Sequence, residues 1–120
     1  MKIYLAGPMR GAENYNFPLF DHVAEQLRQQ GHEVFNPADL TRDIFGGLEP
    51  FLAMPLDEQH GAVRQLLAKE LFWICRQADA VYLLPGWQDS LGATAERTVA
   101  MALDLEVVEV PEKMLNLQVD

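Results

Sequence analysis

Two glutamates, a tyrosine and an arginine are the residues of this chain whose surroundings ask for chemistry. Glu96 closes the segment Leu84-Pro85-Gly86-Trp87-Gln88-Asp89-Ser90-Leu91-Gly92-Ala93-Thr94-Ala95-Glu96. The segment reads as the end of a buried strand, a tight loop and the first turns of a helix. The apolar stripe of that helix runs Ala93, Ala100, Leu103, and Glu96 falls on it at helical spacing. A carboxylate facing the core near the carboxyl edge of a sheet is costly unless it is paired or has a job. The bland alternative is a carboxylate that complements the helix dipole from the first turns, and the phase on the stripe argues against it. Glu70 repeats the pattern between Leu67 and Ile74 on its own helix. Two core-facing carboxylates on helices flanking one strand suit glycosidic-bond chemistry, which uses such pairs. The other reading of Glu70 is a helix-edge residue paired with Arg64 or a neighbour.

Around these carboxylates lie residues suited to holding a ligand. Gly7-Pro8-Met9-Arg10-Gly11 follows the first strand and is neither a Walker A loop nor a Gly-x-Gly-x-x-Gly turn. Its glycines let backbone amides approach a ligand, and Arg10 offers a forked cation suited to phosphate. A tight turn with a solvated Arg is the simpler account of the loop taken alone. Ser90 caps the helix or donates to a ligand oxygen, and its position serves either. Asp89 meets ligand or is a solvated turn residue. Trp87, at the rim, stacks on a base or sugar or else packs against the protein. Tyr4, inside the first strand, is a core residue whose hydroxyl gains interest if a carboxylate lies near it. Asp79 reads as structural, between a helix and the third strand. His22, His32 and His60 share no spacing, so no metal site is expected.

The elements that must position these residues follow from hydrophobic periodicity. Ile3 to Ala6 is a short apolar run stopped by Gly7-Pro8, a strand buried on both faces. Phe17, Phe20, Ala24 and Leu27 mark an amphipathic helix over Asn16 to Gln30, ended by Gly31. Glu33-Val34-Phe35 forms a second strand, stopped by Asn36-Pro37. Residues 39–61, broken by Gly46-Gly47, Pro50 and Pro55, read as an irregular flap-like insertion with at most a short helix. Val63, Leu66, Leu67, Leu71 and Ile74 define a second long helix. A third strand at Ala80 to Leu84, a helix from about Gly92 to Leu103 and a fourth strand at Glu106 to Val110 follow. Residues 111–120 form either a short strand through Leu115, Leu117 and Val119 or a tail that docks on a partner. Strand and helix alternate, so the expected fold is α/β: an open parallel-sheet, three-layer sandwich, flavodoxin-like or Rossmann-like, with four to five strands. Ligands bind beyond the carboxyl ends of such strands at the switch point. Three loops gather at that edge, Gly7 to Tyr15, Asn36 to Asp39 and Pro85 to Ser90, with the first and third side by side.

Composition narrows the function classes. At 120 residues and 49% apolar content, the chain is expected to be one domain with one core. The net charge of −9 supplies no basic stripe for a nucleic-acid duplex, although one Arg and a few amides suffice for a small anion. Cys75 stands alone in an apolar helical context and reads as a small core residue. No run approaches a membrane span and no signal pattern opens the chain, so a soluble cytoplasmic protein is expected.

Taken together, Leu-Pro-Gly-Trp, Ser-x-Gly-x-x-x-Glu and Tyr-x-x-Gly-x-x-Arg-Gly resemble the nucleoside 2-deoxyribosyltransferase superfamily. The resemblance includes its 2'-deoxynucleoside 5'-monophosphate N-glycosidase branch and short phage and bacterial relatives. It covers nearly the whole chain as one such domain, most strongly residues 3–11, 34–38 and 79–102, and is weak across 39–61. It implies a nucleophilic role for Glu96, which attacks the anomeric carbon and forms a glycosyl-enzyme intermediate. It implies that Tyr4 orients that carboxylate and that Gly7, Arg10 and Gly11, with Pro8 and Met9 between them, surround a 5'-phosphate. Ser90 matches a phosphate-binding Ser where the transferases commonly carry an Asp, which favours a nucleotide over a free nucleoside. Trp87, Asp89 and Gly92 fall in the same substrate-binding stretch. The family's second carboxylate, an Asp, has no counterpart at its own position, and Glu70 is the nearest, displaced by one residue. The resemblance implies a homodimer or larger homo-oligomer, a small-molecule nucleotide or nucleoside as partner, no cofactor, and neither nucleic acid nor membrane. Base departure leaves oxocarbenium-like charge for Glu96 to trap, and a desolvated Glu70 is the candidate acid for the leaving base. Water as acceptor gives a hydrolase; a second base gives a transferase. The competing expectation is a non-catalytic module that binds or senses a nucleotide. A third is a purely structural protein in which Glu96 is held in an ion pair.

Overall fold

The computed structural model describes residues 1–116. Four strands form one parallel sheet: β1 (Lys2–Ala6), β2 (Glu33–Phe35), β3 (Ala80–Leu83) and β4 (Glu106–Glu109), in the order β2-β1-β3-β4. The chain runs from β1 outward to β2 and then returns to the other side of β1, so the switch point lies between β1 and β3. Parallel strands need covered faces, because their crossovers carry helices over the sheet. On one face α1 (Phe17–Gln29) covers Ile3, Leu5 and Ala80 with Phe17, Phe20, Val23, Ala24 and Leu27. On the other, α4 (Leu56–Gln77) and α5 (Leu91–Ala102) cover Tyr4, Ala6, Val81 and Leu83. The alternation along β1 is the period-two geometry of a strand, and it assigns Tyr4 to the α4–α5 side. The fold is the expected three-layer, flavodoxin-like α/β sandwich.

The element borders agree closely with the periodicity. Gly31 stops α1 in a left-handed conformation at φ 95°, and Ser90 caps α5 by accepting a 3.2 Å bond from the Ala93 amide. Asp79 is structural, as expected: its carboxylate accepts the Lys2 amide at 2.7 Å and so ties the start of β3 to β1.

Residues 39–61 correct the expectation of an irregular insertion. They belong to α2 (Pro37–Phe45), α3 (Leu48–Leu52) and the first turns of α4. Asn36-Pro37 ends a strand and also starts a helix: the Asn36 side chain accepts the Ala38 amide at 3.0 Å, and Pro37 takes the first turn. Gly46 and Gly47, at φ 85° and 141°, join α2 to α3. The root of α2 is held on α1 by Arg42, which bonds Asp21 and Asp39, and by Arg28, which bonds Asp39. Three further details differ. Leu103 lies past the end of α5 and is exposed, so the buried stripe there is Ala93, Glu96 and Ala100. Cys75 is exposed on the outer side of α4 and is no core residue. No fifth strand forms at Leu115; a short helical turn, Glu112–Met114, packs Met114 against the α1 layer, and Leu117 and Val119 lie outside the described residues.

Candidate active site

The site starts from the Tyr4 ring, which β1 points into the α4–α5 layer. Its hydroxyl donates a 2.5 Å bond to Glu96 Oε2, and both residues are buried. Glu96 reaches it from the second turn of α5, between Ala93 and Ala100 on the inward face. Glu70 arrives half-buried from α4, near enough to both groups to act on their ionisation. Three elements distant in sequence therefore bring Tyr4, Glu70 and Glu96 onto one another. Neither carboxyl forms an ion pair with a described residue, Arg64 included.

Burial without a counter-cation sets the electrostatics. It penalises the ionised form of each carboxyl, pushing Glu70 up to about 7 and Glu96 well above the usual carboxylate range. The negative charge of Glu70 raises Glu96 further, whereas the Tyr4 hydroxyl opposes the shift by donating to it. Tyr4 is pushed up by burial and then by the two carboxylates, so it stays a donor. Two such groups cannot both ionise cheaply, so they titrate as a pair, with the charge on Glu70 favouring the proton on Glu96.

Above this cluster the two loops of the switch point touch. Gly7 follows β1 so closely against β3's exit that a Cβ there would lie 2.7 Å from Leu84 Cβ. A side chain on Gly86 would come within 3.3 Å of Pro8 Cγ. Met9 is half-buried against the α1 layer, and its carbonyl accepts the Ala12 amide at 3.1 Å. Gly11 turns the loop at φ 85°. Arg10 is exposed and makes no hydrogen bond or ion pair with a described residue, which leaves its guanidinium available. Ser90 is half-buried at the α5 cap, while Asp89 and Gly92 are exposed on either side of it. Nothing lies within 4 Å of a Cβ built on Gly92, so the protein's own packing does not demand glycine there. Trp87 is fastened by its neighbours: its indole N–H donates to Glu109 at 3.1 Å, and the Arg97 guanidinium lies 4.9 Å from its ring centroid.

Two features were not singled out from the sequence. Phe35 and Trp73 pack against the Tyr4 ring. Trp73 stands three residues beyond Glu70, a helical spacing that signals proximity; nothing local to Phe35 does so. The other is Asn14-Tyr15-Asn16, three successive residues at φ 51°, 54° and 61° between the Arg10 loop and α1. Asn tolerates the left-handed region better than most residues, and two of the three are Asn.

An open parallel α/β sandwich in which a strand tyrosine donates to a buried glutamate beside a second carboxyl is the class of protein that fold and site define. In sequence, residues 1–109 match the domain of unknown function DUF4406, and the chain belongs to that family. No curated protein matches the chain.

Proposed function

We propose that this protein cleaves the N-glycosidic bond of a deoxynucleoside 5'-monophosphate or nucleoside, with Glu96 as nucleophile. The carrying observation is the buried Tyr4 hydroxyl donating to Glu96 Oε2, with a second carboxyl, Glu70, whose ionisation burial also disfavours. Such a pair supplies both partners a glycosidic cleavage requires: one ionised carboxylate and one protonated acid. In the free protein the charge on Glu70 keeps the proton on Glu96; attack by Glu96 therefore requires that proton to pass to Glu70, a transfer that the Tyr4 hydroxyl favours by donating to Glu96. In the reaction, an oxygen of Glu96 bonds to the anomeric carbon as the bond to the base nitrogen breaks. The electron pair of that bond leaves on the base, which takes the proton from Glu70. Water activated by the Glu70 carboxylate releases the sugar and regenerates the pair; a second base in place of water makes the protein a deoxyribosyltransferase. Arg10, the amides of the Gly7–Gly11 loop and Ser90 are suited to the 5'-phosphate. The reading accords with a likeness to the nucleoside 2-deoxyribosyltransferase superfamily, which the Tyr4, Arg10, Ser90 and Glu96 pattern supports.

The test is incubation with a panel of nucleosides and 5'-monophosphates, read by chromatography for free base. Base release is expected from the wild type and is expected to vanish in Glu96→Gln and Glu96→Ala. Release at the wild-type rate by Glu96→Ala refutes the mechanism. Thermal stabilisation by nucleotide without turnover points instead to a binding module.

A further inference from the structure

The ring that carries the Tyr4 hydroxyl is held by two others. Phe35 is the register partner of Tyr4 across β1 and β2, and their ring centroids lie 5.3 Å apart. Trp73 lies 6.4 Å from the Tyr4 ring and 5.2 Å from the Phe35 ring, which closes a triangle. Tyr4 is fully buried, while Phe35 and Trp73 are half-buried and form the outer side of the triangle. On α4, Glu70 and Trp73 are three residues apart and share one side of the helix. The aromatic pair thus packs on the ring that carries the donor, with Trp73 one helical turn from Glu70 on α4.

We propose that Phe35 and Trp73 are positioning residues for the carboxyl pair: they clamp the Tyr4 ring so that its hydroxyl stays on Glu96, and they close the pair off from water. The importance of this for catalysis rests on the function proposed above; the clamp itself does not. Every element packed against the pair fits the role. β1 presents Tyr4, α4 presents Glu70 and α5 presents Glu96, the titratable groups that act on one another. β2 and β3 present only uncharged side chains there, Phe35 from one and Val81 and Leu83 from the other. With no cation of the described residues paired to either carboxyl, burial is what disfavours their charge, and the two half-buried rings contribute to that burial from the Tyr4 side.

Carbon-13 NMR of the Glu70 and Glu96 carboxyls, assigned with Glu70→Gln and Glu96→Gln, reads the pair directly. The Glu70 midpoint is expected at about 7 in the wild type. Trp73→Ala and Phe35→Ala are each expected to lower it by about one pH unit as water reaches the pair, and Trp73→Phe to hold it within ~0.3 of the wild type. An unchanged midpoint in both alanine variants, with the sheet intact by circular dichroism, overturns the proposal. Trp73 emission in a Trp87→Phe protein supplies a second measurement that needs no alanine variant to fold. The chain has two tryptophans, so Trp73 is then the sole emitter. Emission that titrates with the midpoint of the pair supports the clamp, and emission that is flat through that range overturns it. Neither measurement reads base release, so a protein without glycosidase activity would sink the proposed function and leave the clamp standing.

Discussion

Replacing Glu70 with Gln should make the protein more stable at alkaline pH while removing its activity. The carboxyl of Glu70 moves from 4.5 to about 7 on folding, because burial disfavours its charge. The folded state therefore holds this proton more tightly than the unfolded chain does. Between those two values the native protein binds more protons, so stability falls as pH rises. The contribution is complete below about 4.5 and is lost as pH passes through about 7. A difference of this size corresponds to about 3 kcal/mol of stability at ~1.4 kcal/mol per pH unit. Glu96 shifts in the same direction for the same reason, and since the two titrate together the loss belongs to the pair. Glu70→Gln removes the titration and also relieves Glu96 of its neighbour's charge. Relative to the wild type, the variant should gain about 3 kcal/mol between pH ~4.5 and pH ~8. For a domain of this length that is a relative displacement of roughly 10 °C in Tm. Urea or thermal unfolding of both proteins across that range measures it. Parallel stability curves for wild type and variant would refute the reasoning, since they would mean that Glu70 titrates normally.

The remaining predictions probe the other parts of the site. Tyr4→Phe keeps the ring and removes the donor to Glu96; unfolding should show a loss of about 1–3 kcal/mol, and base release should fall at least tenfold. Gly7→Ala drives a Cβ to 2.7 Å from Leu84 Cβ, and the shift this forces should cost about 1–3 kcal/mol in urea denaturation. Arg10→Ala should leave stability within about 0.5 kcal/mol, because the side chain is exposed. It should raise KM for a 5'-monophosphate well above any change for the free nucleoside, as steady-state kinetics on both substrates would show.

Local patterns made much of the fold legible. The apolar runs at Ile3–Ala6 and Ala80–Leu84 and the stripe Phe17, Phe20, Ala24 and Leu27 each carry their period in adjacent residues. The Ser90 cap was readable for the same reason, since a cap is a bond between neighbours. Residues 39–61 hide their helices in sequence because Asn36-Pro37 marks both a strand end and a helix start, and the glycines and prolines beyond it are residue types that also break elements. In the folded chain the same residues are caps and hinges, and packing on α1 through Asp21, Asp39 and Arg42 secures the short helices between them. Cys75 shows the opposite error. Its apolar neighbours suggested a core position, yet α4 is long and turns that side outward.

For the site, the sequence by itself determined that Glu96 lies on the inward stripe of its helix, because helical phase depends only on spacing. It left Glu70 open between an inward position and the edge of a second helix, and it put Tyr4 in a strand that enters the core. Whether these three face one another was settled by tertiary structure alone. The side of the sheet to which β1 turns Tyr4 depends on which helices cover that face. The crossing of α4 and α5 over β1 and β3 then decides that both carboxyls meet the same hydroxyl. Phe35 reaches the cluster only through the pairing of β1 with β2. The upward shift of both carboxyls has the same origin, since a pKa responds to burial and to charges brought close by the fold, and sequence separation carries neither.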